Sequence, residues 1–256
     1  MVRMKMNIPI KKDNETLDAF YHGKIRIIQK SLGYRFSIEA PLLADFIKTY
    51  PEDELIELGT ANGIISLLVS IKPFKSLLAL EIQEALVELA CRNVALNNLQ
   101  QRIKVMCQDL RMFSPGRKYD IVFANPPYYE KNTGRMSQSM EISIAKHEVK
   151  CNIFDVMRKT AELLHEKGRA YFVFSFRRRD DFIEAVHRNG LKIKKERHIL
   201  PYKGEESNLF LSECDFRTEK TSYMKPLILY NTDGRYSEEA EQIFSGRAYA
   251  SFNKKT

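Results

Sequence analysis

The chain has 256 residues, 44% of them hydrophobic, with 41 basic against 33 acidic side chains and a formal charge of +8. That length and apolar share support one domain with a substantial core, with or without appendages. No apolar run is long enough to cross a bilayer, and the basic residues 1–7 lead into no apolar signal core, so a cytoplasmic protein is expected. The four cysteines, Cys91, Cys107, Cys151 and Cys214, form no CxxC pair, and the five histidines are scattered. Neither a disulfide framework nor a metal is therefore expected. Basic residues cluster at Lys24, Arg26 and Lys30, at Arg177, Arg178 and Arg179, and at Lys192, Lys194, Lys195 and Arg197. Such clusters attract polyanions, of which nucleic acid is the commonest. A merely soluble basic protein would show the same net charge. Oligomeric state is not legible, and a monomer is the default.

In chain order, residues 16–30 read as a hairpin around the turn signal His22-Gly23. Residues 39–50 read as a short helix capped by Ser37. A regular alternation follows. Strands are predicted at 54–58, 76–80, 102–107, 119–124 and 169–175, and two more at 191–199 and 208–216. Helices are predicted at 64–71, 83–96, 151–165 and 180–188. Strands alternating with helices predict an α/β fold: a mostly parallel, seven-stranded sheet with helices on both faces and an N-terminal hairpin-like extension. Ligands of such sheets bind beyond the carboxyl ends of the strands, where the strand order switches. Residues 129–148 form the longest irregular segment, and a long loop at a site is often a lid.

The most informative stretch is Asn125-Pro126-Pro127-Tyr128, at the end of the apolar strand Tyr119–Ala124. Proline lacks an N–H and fixes its own φ, so the corner is rigid. Asn125 carries an acceptor and two donors, and Tyr128 a flat face that can stack on a ring. Together they can hold a planar group bearing an NH₂. A plain tight turn is the other reading. What precedes it shifts the balance. Gly59 lies in the turn Glu57-Leu58-Gly59-Thr60-Ala61-Asn62-Gly63 after the first strand of the alternation, where glycine lets backbone approach a ligand. Glu81 closes the second strand, where a carboxylate can accept both hydroxyls of a ribose. Asp109 follows the third strand and can take the exocyclic amine of an adenine, with Leu110 offering a backbone N–H. One such acid is easily a solvated loop carboxylate; acids at successive strand ends are not. No Lys-Ser or Lys-Thr pair follows the Gly-rich turn, which argues against a nucleoside triphosphate.

These motifs resemble those of class I S-adenosylmethionine-dependent methyltransferases that modify planar NH₂ groups. Residues 24–40, Ala145-Lys146-His147-Glu148, Leu227-Ile228-Leu229-Tyr230 and Gly234-Arg235-Tyr236-Ser237 narrow the likeness. They resemble the tRNA(Val) adenine-37 N6-methyltransferase family from about Asp18 to Tyr249. The resemblance implies a Rossmann-like methyltransferase domain over 51–256, with residues 1–50 as an extension packed on it. It implies S-adenosylmethionine as cofactor, held by Glu57, Gly59, Ala61, Gly63, Glu81, Ile82, Asp109, Leu110 and Asn125. Catalysis falls to Asn125, Pro126, Pro127 and Tyr128. A tRNA partner would touch Tyr128, Arg135, Lys146, His147, Arg177 and Arg178, with a helix cap as the other role for His147. Two departures stand out: Glu57 replaces the family's Asp, and Ala61 replaces a middle glycine, where a positive φ would bring strain.

Other readings remain open. A protein glutamine amide could be the acceptor, but such enzymes usually carry a helical domain before the core, and little room precedes residue 54. A DNA adenine enzyme would normally need a recognition domain for which no segment is spare. Ribosomal RNA is harder to set aside. A non-catalytic RNA-binding module on a vestigial methyltransferase fold is kept alive by Ala61.

Overall fold

The protein is described here from a computed structural model covering residues 11–32, 35, 37–127 and 151–246. Tyr128, the segment 129–148 with Arg135, Lys146 and His147, and residues 247–256 lie outside the described residues.

Strands β1 (Glu15–Phe20) and β2 (Ile25–Lys30) pair antiparallel, Glu15 opposite Lys30 and Phe20 opposite Ile25. The turn between them holds positive φ at Tyr21, His22 and Gly23, so the hairpin forms where its turn signal places it. Helix α1 (Glu39–Phe46) is shorter than 39–50. The Lys72 ammonium ends it, donating to the carbonyls of Ala44 (2.6 Å), Asp45 (2.9 Å) and Ile47. Nor does Ser37 cap it. Ile38 holds the cap position without a side-chain bond, while the Ser37 hydroxyl donates to the Glu39 carboxylate.

The alternation then runs β3 (Glu54–Leu58), α2 (Ile64–Val69), β4 (Ser76–Glu81), α3 (Glu84–Leu96), β5 (Ile103–Cys107), a 3-10 turn (Leu110–Met112) and β6 (Tyr119–Ala124). After the undescribed segment come α4 (Ile153–Leu163), β7 (Leu164–Ser175), α5 (Arg179–Arg188), β8 (Lys192–Leu200) and β9 (Leu209–Asp215). Two short strands, β10 (Ser222–Tyr223) and β11 (Leu227–Ile228), precede α6 (Glu238–Ser245). The sheet order is β5-β4-β3-β6-β7-β9-β8, and only β9 runs antiparallel to its neighbours. The seven expected strands are all present. β10 and β11 both join the free edge of β8, so the sheet has nine. Two-residue strands carry too little pattern to be seen in a sequence.

β7 also begins earlier than expected, at Leu164 rather than 169, because its pairing with β6 starts at Tyr119–Leu164 and then skips before Ile121–Arg169. Gly168 permits that irregularity. A side chain there would stand 2.9 Å from the Asp120 carbonyl and 2.7 Å from Leu164.

Strands buried on both faces divide their side chains between two cores. Leu55, Leu77, Ile121, Phe123, Tyr171 and Val173 point to one, covered by α1, α2, α6 and the hairpin. Ile56, Leu58, Val122, Ala124, Phe172 and Phe174 point to the other, covered by α4 and α5. Tyr21, Ile25 and Ile27 of the hairpin share the first core, so the N-terminal segment and the sheet bury one continuous apolar surface. Among the described residues, no helix is long and apolar enough to cross a membrane.

Candidate active site

The strand order reverses between β3 and β6: the chain goes from β3 to β4 and β5 on one side, and to β6 and β7 on the other. Glu57 and Phe123 are register partners across that switch. Two residues past them come Gly59 and Asn125, on neighbouring strands about 4.8 Å apart in the sheet direction. β4 adds Glu81 one residue beyond the Leu58–Leu80 pair, and Asp109 lies two residues past Cys107, the partner of Glu81. Gly59, Glu81, Asp109 and Asn125 therefore all stand at one edge of the sheet, as the sequence places them.

The glycine turn over residues 57–63 is held from below. The N–H groups of Gly59 and Thr60 both donate to the Leu80 carbonyl, at 2.9 and 2.8 Å. Gly59 (φ 78°) and Gly63 (φ 87°) take conformations that suit glycine, and nothing lies within 4 Å of where a Gly59 side chain would begin. That open space over the turn is a cradle into which a ligand can press. Ala61 has φ 51°, so this alanine occupies the left-handed region that the middle glycine would fill without cost. Glu81 closes the turn. Its Oε2 accepts from Ala61 N–H, and its Oε1 from the N–H groups of Ile82 and Gln83, each at 2.9 Å. Three backbone donors fix the position of this carboxylate at the end of β4.

Glu57 is fully buried. Its Oε2 accepts from the hydroxyls of Thr60 (2.6 Å) and Ser66, and its Oε1 has no partner among the described residues. Burial pushes its pKa up to about 7, against the pull of the two hydroxyl bonds. The departure from Asp thus adds a methylene that reaches under the turn. Asp109, expected to take an adenine amine, is engaged by its own neighbour. It caps the 3-10 turn through the Arg111 N–H (2.9 Å), and the Arg111 guanidinium binds both its oxygens. Leu110 packs against the second core, half-buried.

Across the switch, Asn125 is partly exposed and Pro126 is buried. The Oδ1 of Asn125 is nevertheless shielded from solvent and has no hydrogen-bond partner among the described residues. Asp120, at the other end of β6, accepts from the Glu54 N–H at 2.9 Å, a structural bond at the opposite edge of the sheet. Beyond β7, Arg177 is exposed, Arg178 pairs with Asp181 (2.9 Å), and Arg179 forks onto the buried Glu196 at 2.8 and 3.1 Å. A cavity of about 170 Å³ lined by Phe113, Arg117 and Glu162 lies near the amino end of β6, away from Asn125.

One contributor had been missed. Asn93 of α3 is fully buried. It accepts from Ile28 N–H (2.7 Å) and donates to the carbonyls of Ile28 (3.0 Å) and Asn62 (2.9 Å). One amide thus joins the hairpin, α3 and the glycine turn. The signal was present: Asn93 falls on the apolar stripe of α3, in phase with Leu86, Leu89 and Ala90. Among the described residues, no group of three or more His, Cys, Asp or Glu could hold a metal ion, and none of the four cysteines is in a disulfide.

A reversed strand order with one antiparallel strand, a glycine cradle beside a strand-end carboxylate and an unpartnered Asn at a Pro-Pro corner define a class I S-adenosylmethionine-dependent methyltransferase. The family model described as "Methyltransferase small domain" matches residues 35–179, more than half of the sequence. The chain belongs to that family. Among curated relatives, a protein of Vibrio campbellii is 24% identical over 217 residues, covering 82% of this chain and 87% of that one. One of Parabacteroides distasonis is 24% identical over 226 residues, covering 88% and 94%. Both are named tRNA1(Val) (adenine(37)-N6)-methyltransferase. Among solved structures, a predicted O-methyltransferase of Agrobacterium tumefaciens superposes with a TM-score of 0.64 at 17% identity, covering 82% of this chain and 96% of that one. The M. jannaschii tRNA m1G37 methyltransferase gives 0.58 at 15%, covering 80% and 55%. At those identities the two structures share the fold.

Proposed function

We propose that the chain transfers a methyl group to the exocyclic N6 amine of an adenine in tRNA, at anticodon-loop position 37 as in the names of its curated relatives. The observation that carries this reading is the shielded Asn125 Oδ1 without a partner. A buried acceptor left unmet costs about 1–3 kcal/mol, so the corner is built for a donor that arrives with a ligand. An aromatic NH₂ is such a donor, and the prolines keep the corner from rearranging to satisfy itself.

S-adenosylmethionine, when bound, supplies a methyl group on a sulfonium that is already electrophilic. The chain's own work is placement. The Gly59 turn gives the cradle for its methionyl part. Glu81, held by its backbone donors at the end of β4, accepts from the ribose hydroxyls. Asp109 and Leu110 face the adenine edge, which requires Arg111 to yield part of the Asp109 carboxylate. Glu57, Ala61, Gly63 and Ile82 shape the turn around these groups. At the target, Asn125 Oδ1 and the Pro126 carbonyl accept the two amine hydrogens. That frees the nitrogen lone pair from the ring and aims it, so proximity and fixed dipoles lower the barrier. No side chain is assigned as a base, since the N–H becomes acidic only after the methyl arrives.

Pro127 stiffens the corner and Tyr128 stacks on the base. Arg135, Lys146, His147, Arg177 and Arg178 are read as RNA contacts. An adenine in a loop costs less to swing out than one in a duplex. Residues 1–50 are read as an extension on the 51–256 catalytic domain, and tRNA places the reaction in the cytoplasm.

The test is nucleoside mass spectrometry of unmodified tRNA incubated with the protein and the cofactor. N6-methyladenosine should form with the wild-type chain and fall sharply with Asn125→Ala. Near-normal turnover by that variant, or methylation elsewhere, would reject the scheme.

A further inference from the structure

The reaction above leaves one feature of the same sheet edge unused. Beyond the carboxyl ends of β8 and β11, four aromatic side chains form a continuous ladder. Tyr202 leans on Tyr230, with ring centroids 5.5 Å apart and 35° between planes. Tyr230 stacks on Tyr236 at 5.2 Å and 19°. The edge of Phe244 closes the far end, 4.7 Å from Tyr236. Backbone bonds fix the rungs: Tyr230 N–H donates to the Pro201 carbonyl at 2.9 Å, and Tyr230 bridges Tyr236. An aromatic ladder of this kind inside the protein would simply be core. Here Tyr202 is 38% exposed and Tyr236 is 41% exposed. The ladder is closed by Phe244 at one end and opens to solvent at Tyr202.

Its position relates it to the site. β8 runs parallel to β7 and β6, since β9 is antiparallel to both β7 and β8. Tyr202 therefore leaves the sheet at the same edge as Asn125. β7 and β9 stand between them, so the two exits are about 14 Å apart across the sheet. The loop carrying Tyr202 is tied to that edge, because Phe176 N–H donates to the Asn208 carbonyl at 2.9 Å. Phe176 immediately precedes the exposed Arg177.

Charge does not account for this face. On the loop after β8, exposed Lys203 is followed by exposed Glu205 and Glu206, and Arg235 stands 3.8 Å from Asp233. Attraction of phosphate is not what it offers. Flat rings that end in solvent are what unpaired bases stack on, whatever the sequence.

We propose that the Tyr202–Tyr230–Tyr236 ladder is a stacking platform for an unpaired nucleobase of the RNA substrate, holding the strand beside the base presented to Asn125. This rests on the reading of RNA as the substrate. It makes two kinds of contact separable. Arg177 contributes a phosphate contact that salt weakens, and Tyr202 contributes stacking that salt leaves alone.

The test titrates a fluorescent RNA stem–loop with an unpaired purine-rich loop into the full-length protein, by anisotropy at several salt concentrations. Tyr202→Ala and Tyr202→Leu should each weaken binding about tenfold with the salt slope unchanged. Tyr202→Phe and Tyr202→Trp should bind as wild type, since the flat face is kept. Arg177→Ala should instead lower the salt slope by about one. Thermal unfolding and cofactor calorimetry check that the Tyr202 variants are folded. Unchanged affinity in Tyr202→Ala and Tyr202→Leu, or a loss that comes with a shallower salt slope, overturns the platform. Assaying N6-methyladenosine in the same samples separates the two readings. RNA binding by wild type without methylation overturns the substrate assignment and leaves the platform standing. Methylation with a silent Tyr202 overturns the platform alone, and no RNA binding by wild type overturns both.

Discussion

The two sides of the strand switch are finished differently. On the β3–β4–β5 side, most of the carboxylate oxygens are met by the chain itself: Glu81 by three backbone N–H groups, Asp109 by Arg111, and one oxygen of Glu57 by two hydroxyls, while the other Glu57 oxygen and the buried Asn62 amide have no partner among the described residues. On the β6 side, the key acceptor, Asn125 Oδ1, is met by nothing among the described residues. The first side is a seat braced by the chain's own hydrogen bonds. The second presents an acceptor which, under the proposed function, the target amine meets, at a corner stiffened by two prolines. A transfer enzyme gains from this division. Under the proposed function, a seat common to every turnover is best preorganised, while the group that meets the target amine is best left unsatisfied until that amine arrives.

The largest effect should come from removing that acceptor. Asn125→Ala should lower kcat by about 10²–10³-fold, the usual cost of losing one preorganised polar contact, with little change in thermal stability. Steady-state kinetics on tRNA beside a melting curve would show it, and a matching loss of stability would mean that Asn125 is structural after all.

Next comes Glu57, which probes how the seat is held. Its folded-state pKa, about 7, lies above the ordinary 4.5. The protonated form is therefore favoured by folding. The stability it gives is fully present below about pH 4.5 and is lost as pH rises through about 7. Glu57→Gln cannot lose that proton. Urea unfolding from pH 5 to 9 should show a fall of about 3 kcal/mol in wild type that the variant lacks. Parallel curves would mean that the carboxylate is charged throughout.

Glu81→Gln keeps the shape but turns an NH₂ toward backbone N–H donors. About 2 kcal/mol of stability should go, with a ten- to hundred-fold weaker cofactor. Calorimetry with S-adenosylmethionine measures the second, and undiminished heat would remove Glu81 from the site.

The smallest effect sharpens the comparison from within the seat. Ala61 holds φ 51°, which costs an L-residue about 1–2 kcal/mol, partly offset by the extra freedom glycine has when unfolded. Ala61→Gly should thus stabilise the protein by about 0.5–1 kcal/mol, read as a small rise in Tm. A fall would show that the alanine methyl packs favourably.

Much of this was legible in the residues. Alternating apolar runs with helical segments between them placed every main strand, and the residues just past strand ends gave Gly59, Glu81, Asp109 and Asn125. That works because strand burial and turn chemistry are local: a strand reads as a short apolar run, and a corner reads as Gly or Pro. What local pattern could not carry failed. Helix α1 stops early because Lys72, far along the chain, takes its last carbonyls. The edge strands β10 and β11 exist because β8 offers them an open edge.

The sequence by itself determined the class of fold, the order of its elements and the Asn-Pro-Pro corner at the end of β6. Only the tertiary structure decided which polar atoms are already spent. Asn93 reaches 65 positions back to Ile28 and 31 back to Asn62, Asp109 turns to Arg111, and Asn125 Oδ1 is left over. Hydrogen-bond saturation is a property of neighbours in space, so it appears only once strands distant in the chain lie side by side.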